Sequence, residues 1–138
     1  MAGTVFTLLE RTDYNYSVLG ANAATVEIPI IQNVDISYWR EGTLLIRVHE
    51  LSLGNAAAKF IFRLRSVLPS GEDPGKFFRD TTTVAELTIG QSTAPYLVKA
   101  ALSANAGAMV SLFMVAQQGP TAGQGVAGTF SVALSLKD

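Results

Sequence analysis

Two segments of this chain, residues 59–66 and 129–136, alternate between apolar and polar side chains. In the first segment, Phe60, Phe62 and Leu64 alternate mainly with basic residues. Successive side chains of a β-strand point to opposite faces, so a period of two is typical of strands with one face in a core and one in solvent. Both segments therefore predict half-buried strands.

Short apolar segments of this kind recur along the chain, with turn residues between them. Residues 14–19 are also compatible with a further short strand. Residues 96–104 are compatible with either a strand or a helix, because alanine and leucine also suit two helical turns. The spacing of the turns and the absence of a strand–helix alternation predict an all-β fold, an antiparallel β-sandwich of jelly-roll type with about eight strands. The predicted strands are residues 5–11, 25–31, 34–39, 43–53, 59–66, 84–89, 108–116 and 129–136.

Irregular features are expected within three of these strands. Pro29 lies on the outward side of its segment and predicts an edge strand or a bulge, because proline cannot donate a hydrogen bond to a ladder. In residues 43–53 the apolar side chains change parity near His49 and Glu50, which predicts a bulge or a strand that changes sheets. Residues 108–116 are apolar on both parities and predict a strand buried on both faces.

The composition favours one domain that works against a partner. The chain has 138 residues, which suits one sandwich domain over residues 1–138, with residues 1–13 as an extended arm or an edge strand. Charged residues make up 15% of the chain, against a usual share of about 25%, so we expect much apolar surface. The net charge of −1 gives no reason to expect binding to nucleic acid or to a membrane.

The cysteine content and the N-terminal sequence give little information about function. There is no cysteine, so no disulfide framework or thiolate metal site is expected. The N-terminal residues lack the basic and apolar regions of a secretory signal, and no stretch has the ~18–20 apolar residues of a membrane span. We therefore expect synthesis and assembly in the cytoplasm.

A literal G-x-G-x-x-G occurs at residues 123–128. A dinucleotide site needs this turn to open a helix, with an acidic residue about 20 positions later. The residues after Gly128 instead alternate as a strand. We interpret residues 119–128 as a loop and expect no cofactor.

The chain offers few groups for catalysis or metal binding. His49 is its single histidine, and no G-x-S-x-G elbow presents a serine to it. Glu72 and Asp73 lack the spacing of a calcium loop. We therefore predict no catalytic or metal site, a protein that is not an enzyme, and a role for His49 on a strand surface or at an interface.

Basic residues cluster in the middle of the chain. If strands 43–53 and 59–66 are sheet neighbours, Arg47, Arg63 and Arg65 form an outward basic stripe near Trp39. Three interpretations stay open. The stripe is a solvated face balanced by acids, a surface that docks on an acidic protein, or a site for nucleic acid or glycan. The acids in question are Glu27, Asp35 and Glu86.

Three segments carry a family resemblance: YWREGTLLIRVH at residues 38–49, FRLRSVLPSGEDP at 62–74 and GTFSVALSLKD at 128–138. In size, strand order and style, most of the chain resembles the small jelly-roll cement, or decoration, proteins of tailed bacteriophage heads, especially short-tailed phages. The resemblance implies a non-enzymatic virion protein, made in the host cytoplasm and commonly dimeric. It also implies a partner, the major capsid protein, whose neighbouring subunits it clamps on the outer shell.

The resemblance does not identify functional residues in this chain. The residues that contact a partner are therefore predicted from their side-chain chemistry alone. An alternative function is a carbohydrate-binding β-sandwich module, for example of a phage tail protein, which stacks sugars on Trp39 and Tyr38 or on aromatic residues of the loops. The residues expected to bind a partner are Arg47, His49, Arg63, Arg65, Trp39, Val5 and Phe6.

Overall fold

The computed structural model describes most of the chain as strands. The described residues are 4–16, 25–36, 39, 41–54, 57–69, 77–88, 93–102, 109–118 and 125–137. None of their segments is a helix with the length and apolar character needed to cross a membrane. The predictions for Tyr38, Glu72, Asp73 and residues 17–19 and 119–124 concern positions outside the described residues.

The described residues form eight strands. In chain order these are β1 Thr4–Tyr16, β2 Thr25–Asp35, β3 Glu41–Leu53, β4 Lys59–Pro69, β5 Phe77–Leu87, β6 Tyr96–Leu102, β7 Met109–Gln117 and β8 Val126–Lys137.

The strands form two antiparallel four-stranded sheets. Sheet I has the order β1-β8-β3-β6, and sheet II has the order β2-β7-β4-β5. The first strand pairs with the last, the second with the seventh, the third with the sixth and the fourth with the fifth. This pairing is that of one long hairpin rolled into a two-layer sandwich, which confirms the predicted jelly roll.

The core lies between the inner faces of the two sheets. Phe60 and Phe62 of sheet II meet Phe130 of sheet I edge to face, with ring centroids 5.0 Å and 5.5 Å from that of Phe130. All three rings are fully buried. Burial of each such side chain stabilises the fold by roughly 1.5–3 kcal/mol, and each edge-to-face pair adds about 0.5–1.5 kcal/mol. These rings hold the two sheets together.

The irregularities predicted from Pro29 and His49 are confirmed. Strand β2 is an edge strand, and its pairing with β7 shifts register after Pro29 and again before Val34. The segments predicted as two strands are therefore one strand that continues through both shifts. The pairing of β3 with β8 shifts between Val48 and Glu50, which leaves His49 in the bulge.

The possible helix over residues 96–104 is wrong for Tyr96–Leu102, which is strand β6. It pairs with β3 in an unbroken register from Gly42 opposite Leu102 to Val48 opposite Tyr96. The local preference for helix is weak. Pairing with the edge of β3 supplies backbone hydrogen bonds and places the inward side chains of this segment against the core. Tertiary pairing therefore decides the state of this segment.

Two other strands are longer than predicted. Strand β1 continues to Tyr16, beyond the end predicted at residue 11, because β8 pairs with it as far as Val126. Strand β5 begins at Phe77 and not near Val84. Its first half has no apolar alternation and forms beside the long strand β4.

Gly128 is a close-packed position in the middle of sheet I. A Cβ atom there would lie 2.4 Å from Cζ of Phe130, whose ring folds back over the glycine. Tyr14 pairs with Gly128 across the strands, and its ring stacks on that of Phe130 at 6.2 Å. The missing side chain thus makes room for the ring that joins the sheets.

Gly128→Ala should therefore destabilise the fold by about 1–3 kcal/mol, the usual cost of overpacking a core. The matched control is Gly42→Ala, whose Cβ would lie 3.1 Å from methyl groups of Leu102 and Leu136, a milder contact than that of 2.4 Å at Gly128. Urea unfolding of both variants measures the difference. A loss no larger for Gly128→Ala than for Gly42→Ala would contradict the role given to this glycine.

Candidate functional site

The predicted basic stripe does not form, because its residues lie on opposite sides of the sandwich. Strand β3 belongs to sheet I and β4 to sheet II, so the chain crosses between layers after Leu53. Arg47 lies on the outer face of sheet I, whereas Arg63 and Arg65 lie on the outer face of sheet II. The predicted cations therefore lie on two separate surfaces.

We call the outer face of sheet II the arginine face. Beneath its charges lies a small apolar cluster of Ile61, Phe113 and Val115, each at most 8% exposed. Strand β7 is thus buried on both faces, as predicted. The guanidinium carbon of Arg65 lies 4.6 Å from the centroid of the Phe113 ring, in a cation–π contact that shields the cluster.

Acids balance two of the cations on the arginine face. Arg65 Nη2 lies 3.9 Å from Glu27 Oε1, and Lys59 Nζ lies 3.7 Å from Glu86 Oε1. Such exposed pairs are worth about 0–1 kcal/mol, so a partner can break them. Within the described part of the chain, Arg63 forms no ion pair. These contacts favour the solvated-face interpretation for Arg65.

We call the outer face of sheet I the trough face. Its floor is the outer side of β8, whose side chains Ala127, Ser131, Ala133 and Ser135 are small. A groove of about 240 Å³ opens above this floor. The groove is lined by Thr7, Leu9, Glu10, Leu45, Arg47, Leu97, Ser131, Val132 and Ala133.

His49 contacts a serine that the sequence did not single out. Its Nε2 atom lies 2.9 Å from Ser131 Oγ, across the pairing of β3 with β8. The bulge at His49 turns the imidazole along the trough face toward this hydroxyl. Ser131 lies within a regular strand and not on the sharp turn that presents a catalytic nucleophile. We interpret the pair as a polar contact that orients His49.

A second depression, of about 300 Å³, continues the trough toward the other end of β8. Thr129 Oγ1 donates a hydrogen bond of 2.6 Å to Asp13 Oδ1 at its floor, and Glu50 lies on its far side. Among the described residues no three His, Asp or Glu side chains form a group that could hold a metal ion.

Charges of both signs lie on both flanks of the trough face. The β1 flank carries Glu10, Arg11 and Asp13, and the opposite flank carries Arg47 and Glu50 on β3 and Lys99 on β6. No ion pair joins these groups to one another or to other described residues. Exposed apolar side chains lie on the same two flanks: Val5 on β1 is 64% exposed and Leu97 on β6 is 44% exposed.

Two of the residues expected to bind a partner, Phe6 and Trp39, contact each other. The rings of Phe6 and Trp39 pack edge to face at 5.8 Å, and Trp39 also packs against the main core. Trp39 is half-buried, whereas Phe6 is 40% exposed. Because the tryptophan is held by this packing, the arrangement does not favour an open stacking platform for sugars.

The sequence missed the residues of β6 and β8 that shape the trough face. Leu97 and Lys99 were not assigned to a face because helix and strand were both open for their segment. The signal was present, since Tyr96, Val98 and Ala100 alternate with them as inward residues. Nothing in the sequence places Ser131 beside His49, which lies 82 residues earlier in the chain.

Comparison with known proteins identifies the fold only. No family model matches the chain, and no curated protein matches it. It is similar to the VP2 subviral particle structure of infectious bursal disease virus, with a TM-score of 0.60 and 12% identity. A structure of the Gx strain of that virus gives a TM-score of 0.58 and 15% identity.

These structures contain much longer chains. The match to the subviral particle covers 99% of this chain and 32% of the other. The match to T=1 particles derived from the same virus has a TM-score of 0.51 and covers 31% of that chain. This chain therefore corresponds to about a third of the viral chain and shares its β-sandwich architecture.

Two half-buried tyrosines, Tyr14 and Tyr96, should make the fold sensitive to alkali. Burial raises the pKa of Tyr14, with a smaller contribution from the charge of Tyr16, and burial raises the pKa of Tyr96. The unfolded chain then loses protons near the ordinary pKa of 10.0, before the folded chain does. Stability should therefore fall as the pH rises through about 10.

Tyr96→Phe tests this expectation. The Tyr96 hydroxyl is buried and has no hydrogen-bond partner among the described residues, so its removal should cost at most about 1 kcal/mol at neutral pH. The free energy of unfolding, measured from about pH 8 to 11, should fall less steeply in Tyr96→Phe than in the wild type. Equal slopes would contradict the expectation.

Proposed function

We propose that this protein is a non-enzymatic structural protein of a virion, and more narrowly a cement or decoration protein. It binds the outer surface of a bacteriophage capsid and bridges neighbouring major capsid subunits. The observation that carries the proposal is a jelly roll whose likeness to structures of viral particles extends over 99% of the chain.

The physical properties of the surface support adhesion. A clamp works through contact area, and stable interfaces bury about 1,200–2,000 Å² in total. This chain presents two open sheet faces, few charges and exposed apolar side chains at Val5, Phe6 and Leu97. Such surfaces suit contact with other folded proteins.

The arginine face is the predicted contact with the shell. Arg63 forms no ion pair within the described residues, and the Arg65–Glu27 contact is long at 3.9 Å and exposed. An acidic surface of a shell subunit would compete with Glu27 for Arg65 at little cost. Both side chains project from the same face of β4, so one acidic surface contacts them together.

The direct test compares capsids with and without this protein. Purified capsids that lack it should lose their contents at a lower temperature, because bridging contacts between subunits add to the stability of the shell. Adding the purified protein back should restore the transition. Equal resistance of the two preparations to heat would refute the proposal.

Arg63→Glu tests the assigned face. The variant should bind bare capsids about tenfold more weakly than the wild type, since it replaces an attractive charge with a repulsive one. The matched control is Lys137→Glu at the end of β8, on the other sheet. A loss of binding in Lys137→Glu with none in Arg63→Glu would place the contact elsewhere.

A further inference from the structure

Strand β6 forms an edge of sheet I to which a further strand can be added. We infer that this edge accepts an extended segment of a shell subunit as a fifth strand of the sheet, and that the segment carries an acidic side chain opposite Lys99. The inference rests on the proposed function for the owner of the segment. It deepens that function, because it names the backbone on which the shell is bound.

The pairing of β6 is more regular than that of the other edge strands that the structure describes. The two sheets have four edges, β1 and β6 in sheet I and β2 and β5 in sheet II. Strands β1 and β2 each shift register twice, and β5 shifts once against β4. Strand β6 instead pairs with β3 without a shift from Tyr96 to Leu102. A regular ladder is the geometry that an added strand needs, whereas a bulge disrupts it.

The backbone of β6 can form a second ladder. On one side it pairs with β3, and on its other side no strand lies among the described residues. The backbone hydrogen bonds that the described residues form outside their strands do not involve β6. Residues 96–102 contain no proline, so each N–H donor is present. Unpaired backbone groups along an edge are a template for an extended segment of another chain.

The side chains of β6 gain burial from an added strand. Tyr96, Val98 and Ala100 point inward and are half-buried at the margin of the main core. Leu97 points outward and is 44% exposed. A segment with alternating side chains places apolar groups beside the inward row and covers part of Leu97. Cross-strand pairs of this kind are the contacts that stabilise a sheet.

Lys99 determines which segments can pair with this edge. It lies at the centre of β6, is exposed and forms no ion pair among the described residues. Two β6 edges paired antiparallel about their centres would place Lys99 against Lys99, and like charges directly opposite each other destabilise a sheet. An acidic side chain at that place on the added strand is attracted instead. The lysine therefore disfavours a second copy and favours an acidic segment.

The charges on the neighbouring strand β3 strengthen this preference. Arg47 lies opposite Leu97 and adds a second cation near Lys99. Glu41 and Glu50 lie beyond the two ends of β6, because its pairing with β3 covers only residues 42–48. The middle of the edge is therefore cationic.

The charges of more distant strands do not neutralise the edge. The charged residues of β1 lie three strands away, about 14 Å at the usual strand spacing. The charged residues of β5 belong to sheet II, where Glu86 pairs with Lys59. Lys99 and Arg47 thus remain available to an acidic segment.

Hydrogen exchange of the β6 backbone amides is the direct test. In the free protein, the amides that face the open edge should exchange fast, whereas those bonded to β3 exchange slowly. On bare capsids the edge-facing amides should exchange at least about tenfold more slowly, because the added strand accepts their hydrogen bonds. A partner that covers only the outer face of sheet I leaves the alternation of fast and slow amides unchanged. Bound protein with that alternation intact would overturn the inference and leave the proposed function standing.

Lys99→Glu tests the acidic character of the segment. The variant should bind bare capsids about tenfold more weakly than the wild type, since repulsion replaces attraction across the added ladder. Lys99→Gln, which removes the charge, should give an intermediate affinity. The matched control is Lys137→Glu, which reverses the same charge on β8 of the same sheet and should bind as the wild type does. Circular dichroism melting identifies any variant that fails to fold. Equal binding by folded Lys99→Glu and the wild type would overturn the inference.

A peptide tests the edge without a capsid. The probe is as long as β6, alternates valine with threonine and carries one central glutamate, and its twin carries lysine at that place. The glutamate peptide should slow exchange of the same β6 amides, and the lysine peptide should bind about tenfold more weakly. Slowing by this peptide in a protein that does not bind capsids would refute the proposed function and, with it, a shell subunit as the owner of the segment. Exchange that neither capsids nor the glutamate peptide slow would overturn the strand-accepting edge itself.

Discussion

The contact between the Phe130 ring and the two phenylalanines of β4 is the interaction on which the rest of the structure depends. It is the aromatic junction between a central strand of sheet I and a central strand of sheet II. The ring reaches this position by folding over Gly128, where any side chain would occupy the same space. The absence of a side chain at Gly128 thus makes room for the ring at which the two sheets meet.

The outer faces of the two sheets differ in how their apolar and charged side chains are arranged. Sheet II builds a second, small apolar cluster and covers it with the guanidinium of Arg65 and the acid Glu27. Sheet I keeps its central strand nearly free of large side chains and places its charges at the flanks. The arginine face satisfies Arg65 within the chain but leaves Arg63 without an ion pair among the described residues, which is why we propose that face as the contact with the shell. The trough face leaves apolar side chains exposed on both of its flanks, at Val5 and Leu97.

Much of the fold could be predicted from the sequence, because burial imposes a local period. The structure confirms the strand at residues 129–136, the bulge at His49 and the outward position of Pro29. Each of these features depends on the surroundings of one strand alone. The secondary structure of Tyr96–Leu102 does not follow from its own sequence, because pairing with the edge of β3 decides it. The basic stripe failed for the same reason. Whether Arg47 and Arg63 are neighbours depends on which sheet each strand joins, and no period in the sequence contains that information.

The register shifts in β1 and β2 have a consequence for open-ended assembly. Both strands are edges, they lie next to each other on one side of the sandwich, and each is interrupted twice. A fibre built by pairing sheet edges needs two usable edges on every subunit, so that each added copy presents a fresh one. Interrupted strands make poor templates for such pairing. With one side of the sandwich unsuitable, edge pairing between copies ends after a single step, and growth into fibres is disfavoured even at high concentration.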